Sequence, residues 1–114
     1  MQRDLAYLAD ILQAAKLALR FVEGMTYEAF AEDEKTQAAV IRELEIIGEA
    51  AGRVSTEFVV SHPELPWRQM VSMRNRMIHG YDDIDLVIVW RALRLNLPDL
   101  IDLITPLIPP EDES

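Results

Sequence analysis

Residues 74–81 read Arg-Asn-Arg-Met-Ile-His-Gly-Tyr, a run that holds the side chains phosphodiester chemistry uses. A histidine exchanges a proton near neutral pH, and an arginine fork holds a phosphate and the charge that builds on it. Neither role requires a metal ion. In RNA the neighbouring 2′-hydroxyl is the available nucleophile, so a histidine that removes its proton gives cleavage with a cyclic phosphate end. His79 alone leaves the acid unassigned, whereas a homodimer with two copies of the run across one groove supplies both partners. Arg68, Arg74 and Arg76, with no acid among them, make 66–81 a basic window in a chain of net charge −9. Arg68 and Arg76 are the candidate RNA phosphate contacts, although the acidic body as a whole argues against nucleic acid.

Arg74 and His79 are five residues apart, which on an ideal helix sets them about 140° from each other. Asn75 and His79, four apart, share a face, so Asn75 is a supporting residue that orients the imidazole. Arg74 then reaches round with its long side chain, or the helix loosens near Gly80. Plainer readings stand beside these. A histidine just before a glycine caps a helix end, a tyrosine such as Tyr81 is a half-buried ring with a bonded hydroxyl, and three arginines are ordinary scatter. His62, next to Pro63, reads as structural or solvated, and Trp67 and Trp90 read as core. Glu43, Glu45 and Glu49 share a helix, but no Glu-x-x-His pattern accompanies them, so they read as a solvated face and no metal site is expected.

The elements that would carry this run are helices. Leu5, Leu8, Ile11, Leu12, Ala15, Leu19 and Val22 recur at helical spacing over 3–23, and Gly24 ends the pattern. Asp33 is a candidate N-cap for a helix over 34–54 with Val40, Ile41, Leu44, Ile47, Gly48, Ala51 and Val54 on its apolar face. Ala39, Ile46 and Ala50 widen that face, which suits either a dimer interface or packing on two sides within one bundle. A helical turn at 55–58 precedes a break at 61–66, and Pro66 opens a third helix through Trp67, Met70, Met73 and Met77 to Gly80. A fourth helix follows the acids at 82–85 and buries Leu86, Trp90, Leu93 and Leu97. Pro98 opens a last helix with Leu100, Ile101, Ile104 and Leu107 or Ile108 on its apolar side. The fold class expected is all-α: an antiparallel bundle of four to five helices in one domain over 1–108, with an acidic tail at 109–114.

At these residues the chain resembles the HEPN family in its HepT form. The resemblance rests on 74–81 and on the flanks Ile46-Ile47-Gly48-Glu49-Ala50-Ala51, His62-Pro63-Glu64-Leu65-Pro66-Trp67 and Val89-Trp90, and it extends from about residue 3 to 108. It implies a homodimeric, metal-independent ribonuclease with Arg74 and His79 in the active site. It further implies a type VII-like toxin–antitoxin pair in which a minimal nucleotidyltransferase antitoxin transfers AMP to Tyr81 and silences the toxin. Bulk and negative charge added there would block a groove meant for RNA phosphate. A catalytically silent dimer that binds the nucleotidyltransferase and accepts its modification is the alternative. No cofactor is implied.

The 114 residues, half of them apolar, suffice for one core, and the absence of cysteine removes disulfides and thiolate metal sites. Asp4 and Asp10 interrupt what a signal peptide would need as an apolar stretch, and no run approaches the roughly 20 apolar residues of a membrane span. A cytoplasmic location with no membrane role is expected.

Overall fold

The computed structural model describes residues 2–79 and 85–109, and among these the side chains of residues 2 and 74–79 are not described. Helices account for nearly all of it, with no strand among the described residues. In chain order they are α1 (Gln2–Phe21), α2 (Tyr27–Ala31), α3 (Glu34–Arg53), α4 (Thr56–Ser61), α5 (Trp67–His79), α6 (Leu86–Arg91) and α7 (Leu97–Ile104). A π-helical turn, Ala92–Asn96, joins α6 to α7, and a 3₁₀ turn, Thr105–Leu107, follows. Four long rods therefore carry the bundle: α1, α3, α5 and the continuous α6–α7.

Polar side chains fix where the helices begin. Thr26 accepts from the Ala29 N–H at 3.1 Å, Asp33 from Thr36 at 3.0 Å, Ser55 from Phe58 at 3.1 Å and Asp85 from Val87 at 2.9 Å. Each satisfies one of the donors that a helix start leaves open. Gly24, at φ +79°, makes the turn after α1 in a region other residues enter only with strain.

The core lies where α1 and α3 face each other and the rod closes over them. Leu8, Ile11 and Ala15 from α1, Val40, Leu44 and Ile47 from α3, and Val89, Leu93, Leu97 and Ile104 from the rod have essentially no exposure. Full burial of each large side chain stabilises the fold by roughly 1.5–3 kcal/mol. α3 packs against α1 on one side and α5 on the other, which accounts within one chain for a face wide enough to bury Ala50 as well.

Asp4, the buried charged residue among those described, ties the start of α1 to the loop after α3. Its carboxylate accepts from the Ser55 N–H at 2.8 Å and the Ser55 hydroxyl at 2.7 Å. This contact sets α1 and α3 antiparallel. The hydrogen bond from the Ser55 backbone, and next that from its hydroxyl, hold the Asp4 carboxyl below its ordinary range.

Two elements differ from expectation. The stretch before Asp33 folds as α2, whose Phe30 is fully buried and lies 5.3 Å from the Trp90 ring. Pro98 stands in the first turn of α7, as expected, but α7 runs on from α6 through the π turn without a break. A proline interrupts a helix because it donates no hydrogen bond and crowds the carbonyl four residues back, here that of Arg94. The π turn, closed by the Leu97 N–H on the Ala92 carbonyl, widens the helix at that point and lets it continue. The same turn corrects the buried face. Val89, Leu93 and Leu97 step by four residues, overrunning an α-helical turn by about 40° each time. The wider turn absorbs the excess, so Val89 is 1% exposed while Leu86 and Trp90 are half-buried.

Candidate functional site

α5 carries the Arg-Asn-Arg-Met-Ile-His run, and the chain at its N-terminal end holds it in place. The His62 ring stacks on Phe58 with centroids 4.3 Å apart, and its Nδ1 lies 3.1 Å from a Glu64 carboxylate oxygen. The Trp67 indole N–H donates to the His62 carbonyl at 2.8 Å, and the Trp67 ring meets Phe58 edge-on. Glu64 sits below its ordinary range, first because its own backbone N–H donates to it and then because His62 does. These contacts give His62 and Trp67 the structural roles expected of them. Farther along, Met70 is fully buried and binds α5 to the core.

Arg74, Asn75, Arg76 and His79 lie on the helical backbone of α5, which stays α-helical through His79. No loosening of the helix brings Arg74 and His79 together before that point. Their side chains are outside what is described, and Gly80 and Tyr81 lie outside the described residues altogether. Arg68 is exposed on the first turn. At about 100° per residue, positions 68, 72, 75 and 79 fall within roughly 60° of one another, opposite the position of the buried Met70. Position 74 falls close to the azimuth of Trp67, on the flank away from that stripe. The helix thus groups Arg68, Asn75 and His79 by register and separates Arg74 from them.

Beside α5 lies an open groove. α5 packs along α3, contact with the rod is sparse among the described residues, and the space between holds two adjoining cavities of about 390 and 200 Å³. Gln69, Met73 and Asn96 line both. Met73 meets Ile88 and Val89 in the first, while Pro66 and Met70 meet Leu100 and Leu103 in the second, so α5 and the rod run antiparallel. The groove is built from α3, α5 and the rod, far apart in the chain, and no local pattern announces it.

The other candidates resolve as structure. Trp90 has Phe30 and Tyr27 against its ring and the Arg94 guanidinium 5.4 Å above it. Glu45, half-buried, pairs with the exposed Arg42 at 3.7 Å and the exposed Glu49 with Arg53 at 3.9 Å, surface pairs worth about 0.3 kcal/mol each. Glu43 is half-buried, and its burial raises its carboxyl above the ordinary range. Among the described residues no three His, Asp or Glu side chains cluster as a metal site, and no helix is long and apolar enough to cross a membrane.

Comparison with known proteins bears on this site. The family described as "Ribonuclease HepT-like" matches residues 11–107, a span that includes all of 74–81. A "Probable ribonuclease HepT" of Thermococcus cleftensis is 44% identical over 94 residues, covering 82% of this chain and 86% of the relative. A Methanocaldococcus jannaschii protein named as a candidate RNase is 39% identical, over 90% of this chain and 85% of its own. One from Caldanaerobacter subterraneus, named likewise, is 34% identical over 88% and 89%. No solved structure matches.

Proposed function

This chain belongs to the HepT-like ribonuclease family, and we propose that it cleaves RNA without a metal ion, with His79 and Arg74 as the reacting pair. The observation that carries the reading is the family match across residues 11–107, a span within which 74–81 falls. His79 takes the proton from a ribose 2′-hydroxyl, and the 2′-oxygen forms its bond to phosphorus. The bond from phosphorus to the 5′-oxygen breaks, and that oxygen is protonated as it leaves. The products are a 2′,3′-cyclic phosphate and a 5′-hydroxyl. Arg74 steadies the charge on the phosphoryl oxygens, Asn75 orients the imidazole, and Arg68 and Arg76 hold flanking phosphates.

The acid that protonates the leaving oxygen is the second His79 of a homodimer, each protomer contributing one HEPN-like domain over 1–108. A single His79 cannot be both the base at the 2′-hydroxyl and the acid at the 5′-oxygen in one step, which is what supports this arrangement. In the cell the protein is the cytoplasmic toxin of a toxin–antitoxin pair. A minimal nucleotidyltransferase silences it by forming a phosphodiester between the Tyr81 oxygen and the AMP of ATP, with pyrophosphate leaving. The test is growth on induced expression without the nucleotidyltransferase: the parent arrests growth, His79→Ala does not, and Tyr81→Phe arrests growth even when the nucleotidyltransferase is co-expressed. Equal growth of the parent and His79→Ala would refute the toxin.

A further inference from the structure

We propose that the groove between α5 and the α6–α7 rod is a nucleobase subsite that reads one base of the RNA beside the cleaved bond. The inference rests on the ribonuclease reading and adds to it the place where sequence is recognised. Its floor is apolar, formed by Leu44, Met73 and Val89, and its walls carry Gln69, Asn96 and Arg91. None of those three polar side chains has a hydrogen-bond or ion-pair partner among the described residues, and all three are exposed. A flat ring over apolar side chains, flanked by amides that both donate and accept, is the chemistry of an unstacked RNA base. The cavity of about 390 Å³ lies in the range, roughly 300–1,000 Å³, that small-molecule sites occupy.

Charge and register fix the orientation. The second cavity, toward the start of α5, is lined by Glu64 and Asp99 and repels phosphate. The first has Arg91 and no acid in its lining, and it is the one toward the motif. Positions 69, 72 and 73 of α5 line it, and position 76 falls between their azimuths one turn farther on. From position 72 to position 79 the helix rises about 10 Å, a distance a short single strand spans. The π turn contributes Ala92 and Asn96 to the same wall, and such turns recur at functional sites.

The experiment maps cleavage sites in a random-sequence RNA pool by sequencing the new ends, for the parent and for Gln69→Ala, Asn96→Ala and Arg91→Gln, each checked for folding by its thermal melt. The two amide variants should flatten the base preference at one position next to the cleaved bond and raise KM roughly tenfold with kcat little changed. Arg91→Gln should raise KM on all sequences alike and lessen the salt dependence. A parent that cleaves while no variant alters the profile or KM overturns the subsite and leaves the ribonuclease reading intact. Protection of the groove amides from exchange in RNA-free protein at high concentration also overturns it, since a second copy would then occupy the groove. If the parent cuts no RNA, NMR titration of isotope-labelled protein with a short unstructured oligoribonucleotide decides: shifts of the Gln69 and Asn96 side-chain amides support the subsite and their silence overturns it.

Discussion

Met70→Ala should loosen α5 more than any other single change among its described side chains. α1 holds the core through Leu8, Ile11, Ala14, Ala15 and Ala18, all essentially unexposed, whereas Met70 is the one fully buried side chain among those described on α5. Truncating a buried methionine to alanine costs roughly 2–5 kcal/mol, less where the surroundings can fill the space. Met70 also lines the open groove, where neighbours and water can move in, so the lower part of that range applies, about 2–3 kcal/mol. For a domain of this size each kcal/mol moves Tm by roughly 4 °C, giving a drop of about 8–12 °C. Met70→Leu keeps the volume and should cost less than about 1.5 kcal/mol. Circular dichroism melts of the three proteins, with hydrogen exchange along α5, measure this. A Tm change under about 3 °C for Met70→Ala, with α5 amides as protected as in the parent, would refute the idea that this side chain holds the helix.

Other outcomes follow from the same contacts. Asp4 is held below its unfolded value, near 3.8, so its contribution is present above that value and is lost as pH falls through the lowered folded value. Urea midpoints of the parent and Asp4→Asn should therefore differ at pH 7 and converge as the pH is taken down past 3.8; a gap that grew on acidification would contradict the sign. Gly24→Ala meets no atom within 4 Å, yet the +79° backbone should make it destabilising by about 1–2 kcal/mol, visible as a lower urea midpoint. Ser55→Ala removes both the cap of α4 and the hydroxyl on Asp4 and should cost about 1–2 kcal/mol in the same assay.

The long helices were legible because their apolar residues repeat at helical spacing over four or more turns, and Asp33 was legible as a cap because the acid precedes the first apolar position. α2 escaped because five residues are too few to show a period, and its one buried residue, Phe30, meets Trp90 some sixty positions on. Counting by a regular α-helix put Leu86 and Trp90 inward, and they pack half-buried against the core; what it missed is the full burial of Val89 and the π turn at Ala92–Asn96 that joins α6 to α7 without a break. Asp4 drew notice in the sequence only as an acid, since its partner Ser55 is reached through tertiary structure. Residues 74–79 were expected near the end of a helix, and α5 runs through His79. The groove beside it was not legible, because Leu44, Gln69, Val89 and Asn96 meet only once three helices have packed.

The most direct test incubates purified parent and His79→Ala protein with total RNA in excess EDTA and examines the new ends chemically. Cleavage by the parent alone, giving 2′,3′-cyclic phosphate and 5′-hydroxyl ends, is the result the account predicts. Equal cleavage by His79→Ala, or cleavage by the parent that EDTA abolishes, would contradict it.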